Sequence, residues 1–206
     1  MGYAHSITID RAVELTERQF DFLKKALALF ITSKEAEEAY RQVRPNYPDY
    51  PDGPFSVHFH ANNLKLDKDN IHLLLEAPYG DGERTLLNGD FDHGFQWTPF
   101  AVRSHFNELS SWEGKDSVFF STKTGLQPYD VAVVACYALY KLLFGEMAEF
   151  ESDGERRHLL PTILGLSKVL KADFPEASRL LASVKITDDD GSAVVFGAQT
   201  APYAPS

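Results

Sequence analysis

One segment restricts the fold of this chain more than any other. Residues 128–144, PYDVAVVACYALYKLLF, form an apolar run that Pro128 opens and Gly145 follows, as is typical of the two ends of a helix. Apolar side chains cover nearly the whole circumference of that helix, so we expect it to lie at the centre of the fold. Lys141 interrupts the run, which is also too short to span a bilayer.

The segments on either side of this helix alternate between apolar and polar residues, which is typical of β-strands. In the first of them, Tyr3, His5 and Ile7 share one face. Short polar connections between consecutive strands favour antiparallel pairing. The predicted strands lie at 2–9, 55–61, 70–77, 84–91, 117–122 and 147–154, with an edge strand at 94–100 and a hairpin over 184–197.

Further helices are predicted from capping residues and from amphipathic spacing. Thr16 is a predicted N-cap for a helix in which large apolar residues recur at helical spacing, and Ser33 caps a short second helix. Two more helices are predicted over 155–174 and 175–184.

Taken together, these elements predict an α+β fold in a single domain over residues 1–206. Its mainly antiparallel sheet packs on the central apolar helix, and the additional helices flank that core. Residues 199–206, QTAPYAPS, are predicted to form a loose tail.

Charge and cysteine content exclude several classes of function. The formal net charge of -10 disfavours direct nucleic-acid binding, because an acidic surface repels phosphate backbones. Cys136 is the only cysteine and lies in the apolar helix, so we expect a buried thiol and no intrachain disulfide. No signal-peptide pattern is visible. The sequence therefore predicts a soluble protein in a reducing compartment, without membrane contact or cofactor, and it leaves the oligomeric state open.

A cluster of polar residues precedes the central helix and forms a candidate ligand site. Backbone N–H groups at a helix start attract anions, and a lysine and threonine hydroxyls stand just upstream. His5 joins this site if the first strand lies beside the strand at 117–122. In the alternative interpretation, Asp130 caps the helix and pairs with Lys123 while Tyr129 packs. The candidate ligand-binding residues are Tyr3, His5, Lys123, Thr124, Tyr129 and Asp130.

Metal binding is not predicted. His58 and His60 share one face of a predicted strand, and His72 on the next predicted strand is a candidate third ligand. The sequence offers no clear carboxylate ligand for these imidazoles, however, and no histidine pair of the metalloprotease type. The DDDG segment at 188–191 does not match the spacing of an EF-hand loop.

Several of these stretches resemble a family of small, largely uncharacterised proteins of tailed phages. Members begin Met-Gly-Tyr-Thr-His, carry Lys-Thr-x-x-x-Pro-Tyr-Asp before a hydrophobic helix, and often have a Ser-Asp-Gly turn after it. Ala4 replaces the usual threonine, Ser6 stands where an aromatic residue is common, and residues 17–83 have no counterpart. The matching residues are Gly2, Tyr3, His5, Asn88, Gly89, Lys123, Thr124, Pro128, Tyr129, Asp130, Ser152, Asp153 and Gly154.

The resemblance implies a phage origin and action in the host bacterial cytoplasm, and it carries no catalytic roles. We expect a protein that binds a small polar or anionic ligand, such as a nucleotide or nucleotide-derived signal, in counter-defence or host takeover. The alternative is an acidic inhibitor that binds a host or defence protein, for which the net charge of -10 and the Tyr- and Pro-rich loop at 44–55 argue. A virion component is a third hypothesis. No nucleophile–base pair in the sequence requires catalysis, so the enzyme question stays open.

Overall fold

The computed structural model describes residues 3–10, 13–44, 59–67, 69–89, 98–106, 116–188, 194–197 and 201–205. These residues form nine strands and six helices, with one turn of 3-10 helix after the fourth helix. The strands are β1 Ala4–Asp10, β2 Phe59–Ala61, β3 Leu64–Leu66, β4 Thr85–Gly89, β5 Phe100–Val102, β6 Ser117–Lys123, β7 Ala148–Ser152, β8 Lys185–Asp188 and β9 Val194–Gly197. The helices are α1 Glu17–Ile31, α2 Lys34–Val43, α3 His72–Leu75, α4 Asp130–Phe144, α5 Arg156–Leu170 and α6 Pro175–Ala182.

The described strands form two sheets in which every pairing is antiparallel. The larger sheet has the order β6-β1-β7-β9-β8, and the smaller one has the order β3-β2-β4-β5. The larger sheet lies on α4 through β1 and β7, while α1, α2, α5 and α6 contact other sides of the same helix. The prediction of an α+β fold with antiparallel sheet packed on a central apolar helix is therefore confirmed.

Helix α4 is enclosed on all sides. Every residue of α4 except Lys141 is buried. The lysine is accommodated because its Nζ donates to the carbonyl oxygens of Gly145, at 2.9 Å, and of Ala148, at 2.7 Å, just beyond the helix end. Within the described residues, no helix combines the length and the apolar character needed to cross a membrane.

The predicted capping residues are confirmed. Thr16 accepts from the backbone N–H of Gln19, whose side chain in turn accepts from the N–H of Thr16, and these reciprocal bonds start α1. Ser33 likewise caps α2 by accepting from the N–H of Ala36. The central helix begins at Asp130, two positions after Pro128, because a tight turn at 128–129 leads into it.

The strand predicted at 70–77 is wrong, because this segment contains the short helix α3. The side chain of Asp67 accepts from the N–H groups of Asp69 and Asn70, which turns the chain before the apolar residues begin. A three-leucine run is compatible with either secondary structure, and the turn decides between them. The hairpin of β2 and β3 was not predicted either. Its turn at Asn62 and Asn63 has positive φ angles of 47° and 68°.

Within the predicted loose tail at 199–206, the structure describes residues 201–205, and Tyr203 anchors these residues to the fold. Tyr203 is only 7% exposed, and its ring packs against Phe22 with 5.1 Å between ring centroids. Its backbone N–H donates to the carbonyl of Leu142 at 3.0 Å, and its carbonyl accepts from Gln19. Tyr203 is the one aromatic residue among small and polar neighbours, and its burial against α1 and α4 anchors the segment.

Replacing Tyr203 with alanine is expected to lower the free energy of unfolding by about 3 kcal/mol, because a large buried ring is lost. Tyr203→Phe keeps the ring and is expected to change it by less than about 1 kcal/mol. Urea denaturation of both variants measures the difference. Equal stability of the alanine variant and the wild type would mean that the C-terminal segment contributes nothing to the fold.

Candidate functional site

One row of polar residues crosses three strands of the larger sheet. In the register of the sheet, His5 of β1 stands opposite Thr122 of β6 on one side and opposite Ser152 of β7 on the other. All three side chains are buried. The first strand thus lies beside the strand at 117–122, which was the condition for His5 to reach the start of α4.

His5 is the centre of a buried hydrogen-bond network. Its Nε2 lies 2.8 Å from Oδ1 of Asp130, and its Nδ1 lies 2.8 Å from Oγ of Ser152. The hydroxyl of Thr124 donates to the same oxygen of Asp130, and the N–H of Gly154 donates to Ser152 at 2.9 Å. One proton assignment satisfies all of these groups: Nε2–H donates to the carboxylate, and the serine hydroxyl donates to Nδ1.

Tyr3 lies edge-on to the His5 ring, with 5.0 Å between centroids, and it also contacts the ring of His158 at 5.8 Å. Its buried hydroxyl lies beside Ser152 but makes no hydrogen bond of acceptable geometry within the described residues. Burial and the Asp130 charge raise the pKa of this hydroxyl far above its usual value, so it stays protonated. Gly154 leaves room for Tyr3, because a Cβ there would lie 2.3 Å from the tyrosine oxygen.

The two other candidate residues point away from this network. The Tyr129 hydroxyl donates to the carbonyl oxygens of Thr98, at 3.1 Å, and Lys123, at 2.9 Å, while the Lys123 side chain is exposed. The alternative interpretation of Asp130 as a helix cap is wrong, because its carboxylate accepts from His5 and Thr124 and makes no capping bond. Tyr129 does pack, as that interpretation expected.

The described residues contain no group of three or more His, Cys, Asp or Glu side chains placed to hold a metal ion. His60 bonds the carbonyl of Gly89, and His72 lies exposed on α3; His58 falls outside the described residues. Cys136 is fully buried in α4, and burial raises the pKa of its thiol.

A cavity of about 470 Å³ lies where the free side of β6 meets the β4–β5 pair of the smaller sheet. Tyr137 and Tyr140 of α4 line it from within the core. The Tyr137 hydroxyl is hydrogen-bonded to that of Thr122 at 2.8 Å. Most of the remaining wall is apolar, which is typical of sites that enclose a small molecule.

Two arginines line this cavity at the same end of one strand pair. The β4–β5 pairing ends with Thr85 opposite Val102, so Arg84 and Arg103 occupy the next position on each side. Arg103 is buried, its guanidinium lies over the ring of Phe120 at 5.6 Å, and Arg84 is exposed. The described residues that line the cavity include no carboxylate.

No protein-family model, curated protein or solved structure matches this chain. The site must therefore be judged from its own geometry. The network at His5 is closed on itself, whereas the cavity at β6 has room for a small molecule.

Arg84 and Arg103 were not among the candidate residues predicted from the sequence. Arg84 opens a predicted strand and Arg103 follows another, so each is unremarkable alone. Only the register of β4 against β5 places them together, and register follows from three-dimensional pairing. Ser152 was noticed as part of the Ser-Asp-Gly turn, but nothing in the sequence pairs it with a histidine 147 positions away.

Replacing Asp130 with alanine is expected to lower the free energy of unfolding by about 3–5 kcal/mol, because His5 and Thr124 lose their shared acceptor inside the core. Lys123→Ala is the control at an exposed neighbour, with an expected change below about 0.5 kcal/mol. Chemical denaturation of both variants tests this. If Asp130→Ala is as stable as the control, the network does not hold the fold together.

Proposed function

We propose that this protein binds a small anionic ligand in the cavity between β6 and the β4–β5 pair. The observation that carries the proposal is the placement of Arg84 and Arg103 at one end of that pair, both lining one cavity. In a chain with a formal net charge of -10, this cavity wall holds two cations and, among the described lining residues, no anion.

Two guanidinium cations on the wall of one cavity attract an anion into the space between them. A guanidinium presents five N–H donors in a rigid fork, so Arg103 can hold a protein partner and a ligand together. Two such forks suit a phosphate or a carboxylate. Tyr140 holds Arg103 in place, because its hydroxyl accepts from the backbone N–H of Arg103 at 2.9 Å and donates to its carbonyl at 2.8 Å.

The His5 network supports this site without contacting the ligand. Thr122 stands opposite His5 in the sheet and lines the cavity, so the paired strands hold the cavity wall in position. The proposal is one of binding; turnover is a separate measurement, because Ser152 and His5 are both buried.

The resemblance to tailed-phage proteins supports a setting for this binding. In the host bacterial cytoplasm, a phage protein with an anion site is suited to capture a nucleotide or nucleotide-derived signal, in counter-defence or in host takeover. The acidic surface argues for a small anion in place of a nucleic-acid strand, since a polymer would also meet the repulsive field outside the cavity.

Thermal denaturation with a panel of phosphate compounds tests the proposal. A ligand that binds only the folded state raises the melting temperature, so at least one member of a panel of orthophosphate, pyrophosphate and nucleotides should raise it. Arg84→Gln should weaken the affinity for the best compound roughly ten-fold, as expected for a lost charge-assisted hydrogen bond. Lys123→Gln removes the same charge from an exposed side chain and should bind like the wild type.

Two results would contradict this assignment. If no compound in the panel raises the melting temperature, the proposal is wrong. Loss of the rise in Lys123→Gln, with Arg84→Gln unaffected, would place the ligand at the start of α4 instead.

The acidic surface favours a second candidate, an inhibitor that binds a basic region of a host or defence protein. A hollow of about 440 Å³ is lined by Asp10, Asp116, Glu146 and Glu149, with Met147 exposed beside them. Carboxylates around an apolar side chain complement a basic protein surface. The loop at 44–55, the other motivation for this candidate, lies outside the described residues from position 45 onward.

For this candidate, we expect one host protein to co-purify with the wild type. The double variant Glu146→Lys and Glu149→Lys should lose that protein, because it reverses the charge of the hollow. Glu176→Lys, at an exposed site on α6, is the matched control and should retain that protein. Retention by the double variant would assign the interaction to another surface.

A further inference from the structure

The size and the apolar wall of the cavity at β6, as well as its charge, limit which ligands can bind. This inference rests on the proposed function. The cavity of about 470 Å³ is lined by the arginine pair, and most of its other lining residues are aromatic or aliphatic. A bare phosphate or carboxylate would leave that apolar part of the cavity unfilled. The complementary ligand has an anionic group joined to an apolar or aromatic body.

Phe119 is the ring that is open to such a body. Phe106 is buried and packs against Phe120 and Tyr140, each at 5.6 Å between centroids, while Phe120 also lies under the guanidinium of Arg103. Phe119, by contrast, is 53% exposed at the cavity and makes no ring or cation contact among the described residues. Among the described rings that line the cavity, Phe119 is therefore the one whose face is exposed.

At the cavity rim, a second exposed apolar side chain can contact the other face of a flat ligand. Leu86, which is 37% exposed, belongs to β4 and follows Arg84 by two positions, and both line the same cavity. Residues two apart on a strand point to the same side. The rim therefore combines an aromatic face, an exposed aliphatic side chain and a cation.

We infer that the ligand is a nucleoside phosphate whose base stacks on Phe119 while its phosphate is held by Arg84 and Arg103. Every nucleobase has a π-face, so stacking on a phenyl ring tolerates all four bases and strengthens binding by roughly ten-fold or more. The cavity is of a size for one such unit, with a base at the rim and a single charged end at the arginine pair.

Isothermal titration calorimetry with the four nucleoside 5′-monophosphates and with ribose 5-phosphate tests the inference. The tightest monophosphate should bind about ten-fold more strongly than ribose 5-phosphate, which has the phosphate and sugar but no base. Phe119→Leu keeps an apolar side chain and removes the ring, so it should lose most of this difference and leave the affinity for ribose 5-phosphate unchanged. Leu164→Ala, on α5 and 50% exposed, is the control away from the cavity.

The outcomes separate this inference from the proposed function. If ribose 5-phosphate binds as tightly as every monophosphate, or if Phe119→Leu behaves like the wild type, stacking on Phe119 is overturned and the anion site stands. If neither the monophosphates nor any other phosphate compound binds, the anion site is overturned and this inference falls with it. Unchanged urea midpoints for Phe119→Leu and Leu164→Ala verify that both variants are folded.

Discussion

A helix without a polar face has to be buried on all sides, and the burial of α4 determines where the other helices and strands lie. The strands β1 and β7 cover one side of it, and α1, α2, α5 and α6 contact others. Burying fourteen of its fifteen residues removes a large apolar surface from water, at roughly 1.5–3 kcal/mol for each large side chain. The same enclosure buries the polar start of the helix, and those groups must then find partners inside the protein.

That requirement explains the network around His5. A carboxylate buried at Asp130 is tolerated only with hydrogen-bond donors around it, and His5 and Thr124 provide them. Six residues from distant parts of the chain converge on this one place: Tyr3, His5, Thr124, Asp130, Ser152 and Gly154. Strands β1 and β7 and the start of α4, which lie far apart in the chain, are thus joined through a single imidazole.

Periodicity and capping predicted most of the fold, because these signals act over short stretches of chain. The caps at Thr16 and Ser33 and the apolar circumference of α4 depend only on neighbouring residues, and each was recognised. Within the candidate site, the convergence of His5 on the start of α4 followed from strand pairing. The direction of each side chain did not follow from the pairing. Tyr129 and Lys123 lie close to Asp130 in sequence, but the Tyr129 hydroxyl donates to backbone carbonyls and the Lys123 side chain is exposed.

The features that could not be predicted depend on contacts between residues that are distant in the sequence. The anchoring of Tyr203 requires a site between α1 and α4, and the placement of Arg84 and Arg103 at one end of the β4–β5 pair requires the register of those strands. Two isolated arginines in an acidic chain are ordinary surface residues until the register of two strands brings both to the wall of one cavity.

The network and the cavity share strand β6, and this connects the stability of the fold to the proposed binding. Thr122 stands beside His5 in the sheet, while Phe119, three positions earlier on the same strand, stands at the cavity rim. A rim built on a strand that is held by β1 and by the start of α4 keeps its shape before a ligand arrives. Less ordering is then required on binding, which favours tight binding of a small molecule by few contacts.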